Sequence, residues 1–234
     1  MSQVQEEVAS PSNFWVRLVL FLFCALAALI CLNVALSALN TLHQLDAIEA
    51  ERDNWQSPMQ VIQALGLKDG NTVVDLGCGS GYFSLKLSDP VGAGGSVIAE
   101  DIRRLPLAIL WARALRTGKY NVHVRLGDLD DPRLSPNSVD AVLISNTYHE
   151  FDSPMRILDH IRQALIPGGR IVIIDRTPHT TVEKTSAMRE HEISAERVEA
   201  DLHQAGFAVD ARSQDFINRD PEGESWWMIV AHHP

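Results

Sequence analysis

Cysteine and basic residues are the two classes that this 234-residue sequence has little of. Its only cysteines are Cys24, Cys31 and Cys78, and no two of them have CxxC spacing. This scarcity argues against a disulfide-stabilised scaffold and against a zinc cluster. Lysine and arginine number 20 against 30 acidic residues, which gives a formal net charge of −10. Because an acidic chain gains little from counterion release, nucleic acid is excluded as the main partner.

Internal repeats and low-complexity tracts are also absent from the sequence. Charged residues make up 21% of the chain and hydrophobic residues 46%. These proportions are typical of globular proteins and exclude wholesale disorder. At about 150 residues per domain, the length predicts one domain with an appendage.

The predicted appendage is at the N-terminus, where residues 18–39 contain no charged residue. At about 1.5 Å per residue the run reaches roughly 33 Å, enough to cross a hydrocarbon core of about 30 Å. Trp15 and Arg17 precede it and suit a membrane interface. We therefore predict a tail over residues 1–17 and a transmembrane helix over residues 18–39. A secretory signal peptide cleaved near Ala35–Ser37 and a buried core helix are the alternatives.

The rest of the chain alternates between helix-type and strand-type segments. Residues 40–56 are predicted to form a short exposed helix or stalk. Ser57 as an N-cap, Pro58 and Gly66 predict a short helix over Pro58–Leu65. Helices are also predicted at Tyr82–Leu87, Leu105–Thr117 and Pro154–Leu165, and after Ser194 as an N-cap. Strands are predicted at Thr72–Asp75, Ser96–Asp101, Val122–Leu126, Val139–Ser145, Arg170–Asp175, Phe207–Ala211 and Ser225–Ala231. This alternation predicts a doubly wound α/β sheet over residues 57–234, with mostly parallel strands.

A glycine-rich loop is the most specific local signal. The first strand ends in Asp75 and passes through Gly77, Gly79 and Gly81 directly into a helix that begins at Tyr82. Glycines let the backbone approach a ligand closely, and a helix N-terminus offers aligned N–H donors. A dinucleotide fingerprint, GxGxxG, would need glycine at position 82, and a carboxylate at position 75 would repel a pyrophosphate. A nicotinamide oxidoreductase is therefore disfavoured.

In these residues the chain resembles the class I S-adenosylmethionine-dependent methyltransferases. Asp75, Gly77, Gly79 and Gly81 match their first motif, which is similar to Asp-x-Gly-x-Gly-x-Gly. Leu165–Arg170 is similar to their Leu-x-Pro-Gly-Gly turn. The segment Arg52–Pro58 resembles the lead-in of a small-molecule branch, so that the resemblance covers Arg52 to Ala231. It implies a Rossmann-like, seven-stranded sheet with an antiparallel last strand, and S-adenosylmethionine as the cofactor.

The resemblance also implies which residues bind the cofactor. An acid at the end of the second strand binds the ribose hydroxyls in that family, and Asp101 matches it better than Glu100. Asp128 in Gly127–Leu129 is similar to the residue that contacts adenine. The predicted cofactor-binding residues are Asp75, Gly77, Cys78, Gly79, Gly81, Tyr82, Glu100, Asp101, Asp128, Leu129 and Asn146.

The segment after the fourth strand holds the catalytic candidates. His149 has an intrinsic pKa suited to a base near neutrality, and Glu150 is the weaker candidate. Tyr148 would stack on adenine or on the acceptor, or simply pack in the core. His179 and His191 are predicted to flank a stretch that shapes the acceptor pocket. No third ligand stands at metal spacing from them, so no metal site is predicted. Trp226 and Trp227 are expected to pack on alternate faces of the last strand.

These observations predict an enzyme that transfers a methyl group to a small-molecule or lipid- or quinone-like acceptor at the membrane. The alternative is a catalytically silent cofactor-binding module that is tethered for a protein partner. Arg17 near one end of the run weakly places the N-terminus in the cytoplasm and the domain outside. Because the cofactor implied by the resemblance is made in the cytosol, we expect the domain to face the cytoplasm, with a secreted or periplasmic domain as the alternative. The sequence makes no prediction of oligomeric state.

Overall fold

The chain divides into two units, residues 1–50 and residues 51–234. The structure is a computed structural model and describes residues 11–178, 192–219 and 224–234. All described residues of the first unit lie in helix α1 (Pro11–Gln56), whose last six residues belong to the second unit. The predicted His179 and His191 lie outside the described residues.

Helix α1 is continuous through the predicted membrane helix and through the segment that the sequence predicted as a short exposed helix or stalk. Its few polar residues do not interrupt it, because Asn33 and Thr41 donate to backbone oxygens one turn earlier. The helix ends at Ser57, which has a left-handed conformation (φ 50°) and precedes Pro58. Ser57 is the N-cap residue of α2, as predicted, but its side chain makes no capping hydrogen bond. Proline disfavours a helical conformation in the residue before it, which explains the break.

Helix α1 is the one described helix long and apolar enough to cross a membrane. Its most apolar 18-residue window has a mean hydropathy of 2.8, and none of that window is buried. The core helix of a soluble domain would be mostly buried, so that alternative does not fit. Length and composition suit a membrane span and a signal sequence equally.

The second unit contains a seven-stranded sheet, which confirms the predicted fold. The strand order is β3-β2-β1-β4-β5-β7-β6, and all neighbours from β3 to β5 are parallel, whereas β7 is antiparallel to both β5 and β6. The elements after α1 are α2 (Pro58–Leu65), β1 (Thr72–Leu76), α3 (Tyr82–Val91), β2 (Ser96–Asp101), α4 (Arg104–Thr117), β3 (Val122–Leu126), β4 (Val139–Ser145), a 3-10 turn (Tyr148–Glu150), α5 (Pro154–Ala164), β5 (Leu165–Arg176), α6 (Ala195–Gln204), β6 (Ala208–Arg219) and β7 (Glu224–His232).

The core lies on both faces of the sheet, as expected for a doubly wound fold. One face packs against α2, α3 and α4 through residues such as Val73 and Leu87. The other face packs against α5 and α6 through residues such as Ile144 and Leu158. The buried rings of Trp226 and Trp227 lie in the first and second cluster respectively, which confirms that they pack on alternate faces.

Several predicted boundaries differ from the structure. Strand β6 continues to Arg219 instead of ending at Ala211, because β7 provides a partner along its length. Leu165 belongs to β5 and pairs with Val139, although its spacing fitted the apolar face of α5. The predicted cap at Ser194 is confirmed, since its side chain accepts a hydrogen bond from the Arg197 backbone N–H.

The sheet topology determines where a ligand can lie. The chain moves outward from β1 through β2 to β3 and then returns to β4, which lies on the other side of β1. In open α/β sheets such a reversal leaves a crevice at the carboxyl ends of the two inner strands. The glycine-rich loop follows β1, and the segment with His149 follows β4, so both lie at this edge.

Candidate functional site

The glycine-rich loop between β1 and α3 is fastened to the end of β2. The backbone N–H groups of Gly77 and Cys78 both donate to the Glu100 carbonyl oxygen at 2.9 Å. Gly77, Gly79 and Gly81 all have left-handed backbones, with φ of 73°, 54° and 94°. Residues with a Cβ atom rarely adopt that conformation, which explains the repeated glycines.

The surroundings of the three glycines differ. A Cβ atom on Gly77 would lie 2.3 Å from Thr147 Cγ2, and one on Gly81 would lie 2.1 Å from Leu110 Cδ1. A Cβ atom on Gly79 would meet no atom within 4 Å. Gly77 and Gly81 therefore allow close packing, while the middle of the loop borders open space at the crevice.

Asp101 lies directly beside this open space. Its Oδ2 accepts a hydrogen bond from the Gly79 N–H at 2.9 Å, and its Oδ1 accepts one from the Arg103 N–H at 2.8 Å. Each carboxylate oxygen has two lone-pair directions, so the group retains capacity for ligand hydroxyls. The structure thus brings together the loop and the acid that the sequence singled out.

Glu100 and Asp75 are buried acids behind the loop. The Glu100 carboxyl packs against Gly127, where a Cβ atom would lie 1.6 Å from its Oε1. Burial, together with the nearby charge of Asp101, raises the pKa of Glu100 to about 8. Burial likewise raises the pKa of Asp75 to about 6, although its Oδ2 accepts a 2.5 Å hydrogen bond from Ser84 on α3. Asp75 therefore joins β1 to α3 beneath the loop.

Three other predicted cofactor residues lie around these acids. Cys78 is buried, and burial followed by three nearby carboxylates raises the pKa of its thiol, which keeps it neutral. Asp128 lies on an exposed turn, where its carboxylate pairs with the guanidinium of Arg133. Leu129 next to it is largely exposed. The Asp128 carboxylate is therefore at the surface with a cation beside it, and Leu129 is available for contact.

The loop after β4 lies against the glycine-rich loop. The Thr147 hydroxyl is 3.5 Å from the Gly77 carbonyl oxygen, and the side chain fills the space above Gly77. Asn146 has a left-handed backbone, with φ of 55°, although it is not glycine. Its buried Oδ1 and the buried Oγ of Ser145 have no hydrogen-bond partner in the described part of the chain. Strained backbone and unsatisfied polar atoms concentrate at ligand sites.

His149 forms a close pair with a carboxylate that the sequence reasoning missed. Its Nδ1 lies 2.8 Å from Oδ1 of Asp175 at the end of β5, and its backbone N–H donates to Oδ2 of the same group at 3.2 Å. Both side chains are almost fully buried. An ionised Asp175 can only accept, so this contact favours the proton on Nδ1 and leaves Nε2 as the proton-accepting atom.

The other two catalytic candidates have different surroundings. Tyr148 is buried, and its hydroxyl donates to Asp201 Oδ2 on α6 at 3.1 Å while its ring packs against Phe151. Packing, rather than stacking on a ligand, fits this residue. Glu150 is exposed, with Oε1 3.8 Å from His149 Nε2. It therefore stands near the imidazole but outside hydrogen-bond range.

Comparison with known proteins agrees with this geometry. Residues 74–173 match a family described as a methyltransferase domain. A demethylmenaquinone methyltransferase from Lactococcus lactis is 30% identical over 132 residues, 56% of this chain and 51% of the relative. A nocamycin O-methyltransferase from Saccharothrix syringae is 32% identical, over 47% of this chain and 40% of the relative. The chain thus spans about half, or less, of these relatives.

The solved structures extend the match to the whole fold. A SAM-dependent methyltransferase from Aquifex aeolicus superimposes with a TM-score of 0.66 and 26% identity, over 76% of this chain and 89% of that chain. The chain carries a class I S-adenosylmethionine-dependent methyltransferase domain.

The crevice of the methyltransferase domain fits that cofactor. The space beside Gly79 admits a ligand, and Asp101 next to it can accept a hydrogen bond from a ribose hydroxyl in addition to those from Gly79 and Arg103. The carboxyl of Asp75, whose pKa is about 6, is mostly ionised at neutral pH behind the loop, which disfavours a pyrophosphate but not a cationic ligand. Loop geometry and donor chemistry therefore agree on a cationic nucleoside.

Tyr82 attaches the segment that precedes α2 to the glycine-rich loop. Its hydroxyl donates to Asp53 Oδ1 at 2.7 Å, and the Arg52 guanidinium carbon lies 3.9 Å from its ring centre. Lys86 on α3 pairs with the other Asp53 oxygen at 2.8 Å. Tyr82 is thus buried under the segment before α2, at the first residue of α3.

Several functional candidates in the methyltransferase domain carried only weak sequence signals. Asp175 stood out only as an acid that ends an apolar strand, and Thr147 as a β-branched residue in the loop after β4. Three buried donor atoms at the carboxyl end of β5 and the amino end of β7 have no partner among the residues that the structure describes: Arg176 Nε, Thr177 Oγ1 and Trp226 Nε1. The Arg176 guanidinium carbon lies 5.3 Å from the Trp226 ring centre. The pairing of β5 with β7 brings these residues together. Trp226 is far from Arg176 and Thr177 in the sequence, so their contact could not be predicted from it.

No group of three metal-ligating side chains occurs within residues 11–178, 192–219 and 224–234.

Proposed function

We propose that the protein transfers a methyl group from S-adenosylmethionine to a small lipid- or quinone-like acceptor at a membrane. The observation that carries the proposal is the contact between the loop after β4 and the glycine-rich loop. Thr147 fills the space over Gly77, and His149 lies two residues further on with its imidazole oriented by Asp175. A base therefore stands beside the place where the cofactor would be held.

The proposed cofactor site follows the order of the strands. Gly77, Gly79 and Gly81 would surround the methionine part, Asp101 would accept from the ribose hydroxyls, and Asp128 with Leu129 would lie by the adenine. Glu100 and Asp75 would maintain the loop, and Asp75 would add negative charge behind the sulfonium. When bound, S-adenosylmethionine supplies a methyl group on a positively charged sulfur atom. The protein then has to position the acceptor and exclude water.

The proposed base is His149. In this role Nε2 takes the proton of the acceptor, and the buried Asp175 stabilises the imidazolium that forms. Proton abstraction by a positioned side chain typically contributes about 10²–10⁴ in rate. Asp175 acts through His149 and is a positioning residue.

Three observations support an oxygen-bearing, apolar acceptor. The buried donors of Arg176, Thr177 and Trp226, which have no hydrogen-bond partner within the described residues, suit a carbonyl or phenolate oxygen. The relative from Lactococcus lactis is named for a quinone-type substrate. An apolar N-terminal helix would hold the domain where such molecules partition.

The proposed organisation has a tail over residues 1–17, a single membrane span over 18–39, a linker over 40–56 and the methyltransferase domain over 57–234, facing the cytoplasm. Protease added outside spheroplasts should leave a C-terminal tag intact. Digestion of the tag without lysis would reverse the assigned orientation.

The catalytic test uses the full chain in detergent, labelled S-adenosylmethionine and a demethylmenaquinol with a short side chain. His149→Ala and Asp175→Asn are expected to lower turnover about 100-fold, with an unchanged dissociation constant for S-adenosylhomocysteine in calorimetry. The matched control is His160→Ala on α5, whose Nδ1 is 3.8 Å from Asp131 and which should leave turnover unchanged.

Equal turnover of the His149→Ala variant and the wild type would exclude His149 as the base. Cofactor binding without transfer to any acceptor would favour the silent binding module. Lack of cofactor binding would overturn the proposal as a whole.

A further inference from the structure

The segment from Ile102 to Gly127 is basic, whereas the chain as a whole is acidic. It contains Lys119 and five arginines but no aspartate or glutamate, in a protein with 30 acidic and 20 basic residues. Arg113 is buried and donates to the Ser80 carbonyl oxygen, and Lys119 pairs with Asp89. The surface charge of the segment therefore comes from Arg103, Arg104, Arg116 and Arg125.

Helix α4 also exposes apolar side chains. Trp111 is 56% exposed and Leu115 is 45% exposed. Residues 104, 108, 111 and 115 follow helical spacing, so that they form one stripe on the outer side of α4. Between this stripe and β3 runs a shallow apolar groove, which is lined by Arg104, Leu107, Ala108, Trp111, Val124 and Leu126. We call the stripe and groove the α4–β3 face.

The α4–β3 face lies at the edge of the sheet and reaches the cofactor crevice. β3 is the outermost strand of the described sheet, so no further strand covers it there. At the end nearest the cofactor crevice, the face begins with Arg103. The backbone N–H and the guanidinium of Arg103 donate hydrogen bonds to Asp101. Leu105, next along, is also highly exposed.

We propose that the α4–β3 face rests on an anionic lipid surface. Basic residues around an apolar stripe with a tryptophan are the pattern by which helices lie in the lipid headgroup region. Each arginine near such a surface contributes about 1 kcal/mol, which corresponds to about a fivefold change in binding. The remaining acidic surface would be repelled, which orients the domain with this face toward the lipid.

Charge favours a lipid surface over the other candidate partner, a second copy of the chain. Pairing two copies along β3 would bring the arginines of both faces together, and like charges oppose such pairing. The contact does not depend on the proposed catalysis. If the proposed function also holds, the face would keep the mouth of the crevice near acceptors dissolved in the membrane.

The test compares hydrogen exchange of the full chain in phosphatidylcholine nanodiscs with exchange in nanodiscs that also contain phosphatidylglycerol. Peptides covering residues 102–127 are expected to exchange at least about fivefold more slowly in the anionic discs, and the difference should shrink at high salt. Arg104→Glu and Trp111→Ala should each reduce the protection. Arg156→Glu on α5 is the matched control and should retain it.

Equal exchange in both lipids would overturn the proposal. So would protection that rises with protein concentration in neutral discs, which would indicate contact between copies. Calorimetry of S-adenosylhomocysteine binding and a melting curve accompany each variant, so that a folding defect or a failed cofactor site is distinguished from lost lipid contact. The comparison of neutral with anionic nanodiscs, made on the wild-type chain, tests the lipid contact even if a variant does not fold.

Discussion

At the residue scale, three buried carboxyl groups near the glycine-rich loop have different surroundings. Asp101 accepts from two backbone N–H groups, which stabilise its charge. Asp75 accepts from the Ser84 hydroxyl, and burial still raises its pKa to about 6. Glu100 packs against Gly127, and burial raises its pKa to about 8. Of the three acids, Asp101 is the one that bonds to Gly79, in the middle of the glycine-rich loop.

Glu100 predicts a pH dependence of stability. Its carboxyl has a pKa of 4.5 in the unfolded chain and about 8 in the folded protein, so the folded state binds the proton more tightly. Its stabilising contribution is complete below about pH 4.5 and is lost as the pH rises toward 8. Glu100→Gln mimics the protonated group and should gain stability over the wild type by roughly 2–4 kcal/mol between pH 5 and 8. Urea unfolding across this range measures the difference.

A constant difference between the two proteins across that range would contradict the raised pKa of Glu100. Asp89→Asn is the control, because that side chain is 78% exposed. It should show little change in the same window.

Gly79 and Gly77 predict opposite consequences of adding a methyl group. Gly79→Ala should cost only about 1–2 kcal/mol, from its left-handed backbone, and should weaken S-adenosylhomocysteine at least about tenfold by filling the ligand space. Gly77→Ala should destabilise the fold more, because its Cβ would overlap Thr147. Calorimetry and thermal melts separate the two effects.

Gly118→Ala is the matched control for the backbone strain. Gly118 ends α4 with φ of 70°, and a Cβ atom there would meet nothing within 4 Å. It should lose similar stability and keep full cofactor affinity. If Gly79→Ala also retains full affinity, the ligand does not lie against that part of the loop.

At the element scale, the last turn of α1 is held on α3 by a small polar and aromatic cluster. Tyr82 donates to Asp53, Lys86 pairs with Asp53, and Arg52 lies over the Tyr82 ring. Trp55 adds a ring contact to Trp226 at 6.0 Å between centres. These contacts fix the segment before α2 against the helix that begins at the glycine-rich loop.

We expect Tyr82→Phe to lower the free energy of unfolding by about 1 kcal/mol, since it removes one hydrogen bond and keeps the ring under Arg52. Tyr120→Phe is the control, because Tyr120 is exposed, and should change stability by less than about 0.5 kcal/mol. Urea titration of both variants checks the prediction. Equal stability of Tyr82→Phe and the wild type would mean that the hydrogen bond from Tyr82 to Asp53 contributes nothing to this attachment.

At the scale of the whole molecule, two hypotheses for the N-terminus differ in whether the apolar part of helix α1 is retained. A membrane span keeps the chain intact, whereas a signal peptide would be removed near Ala35–Ser37. We expect protein carrying tags at both ends to stay in the membrane fraction after alkaline carbonate washing, at full mass. Mass spectrometry of the extracted chain checks this. A soluble product shortened by about 37 residues would establish the cleaved form instead.

The sequence by itself determined the strand and helix order and the position of the cofactor loop. Short apolar runs bounded by glycine and proline define parallel strands locally, and Asp75, Gly77, Gly79 and Gly81 lie within seven consecutive residues. The positions of Asp101 and Asp128 also follow from local pattern, because Asp101 ends β2 and Asp128 lies two residues after the end of β3. Such features depend on neighbours along the chain, so the chain order reveals them.

Only the tertiary structure decided which distant side chains meet. Asp175 lies 26 positions from His149, and the pairing of β4 with β5 brings them within 2.8 Å. The sequence left open whether Tyr148 stacks on a ligand or packs in the core, and its hydrogen bond to Asp201 in the core favours packing. The α4–β3 face likewise depends on which side of α4 is buried. These outcomes depend on burial and on strand order, which are properties of the packed sheet rather than of any local run of residues.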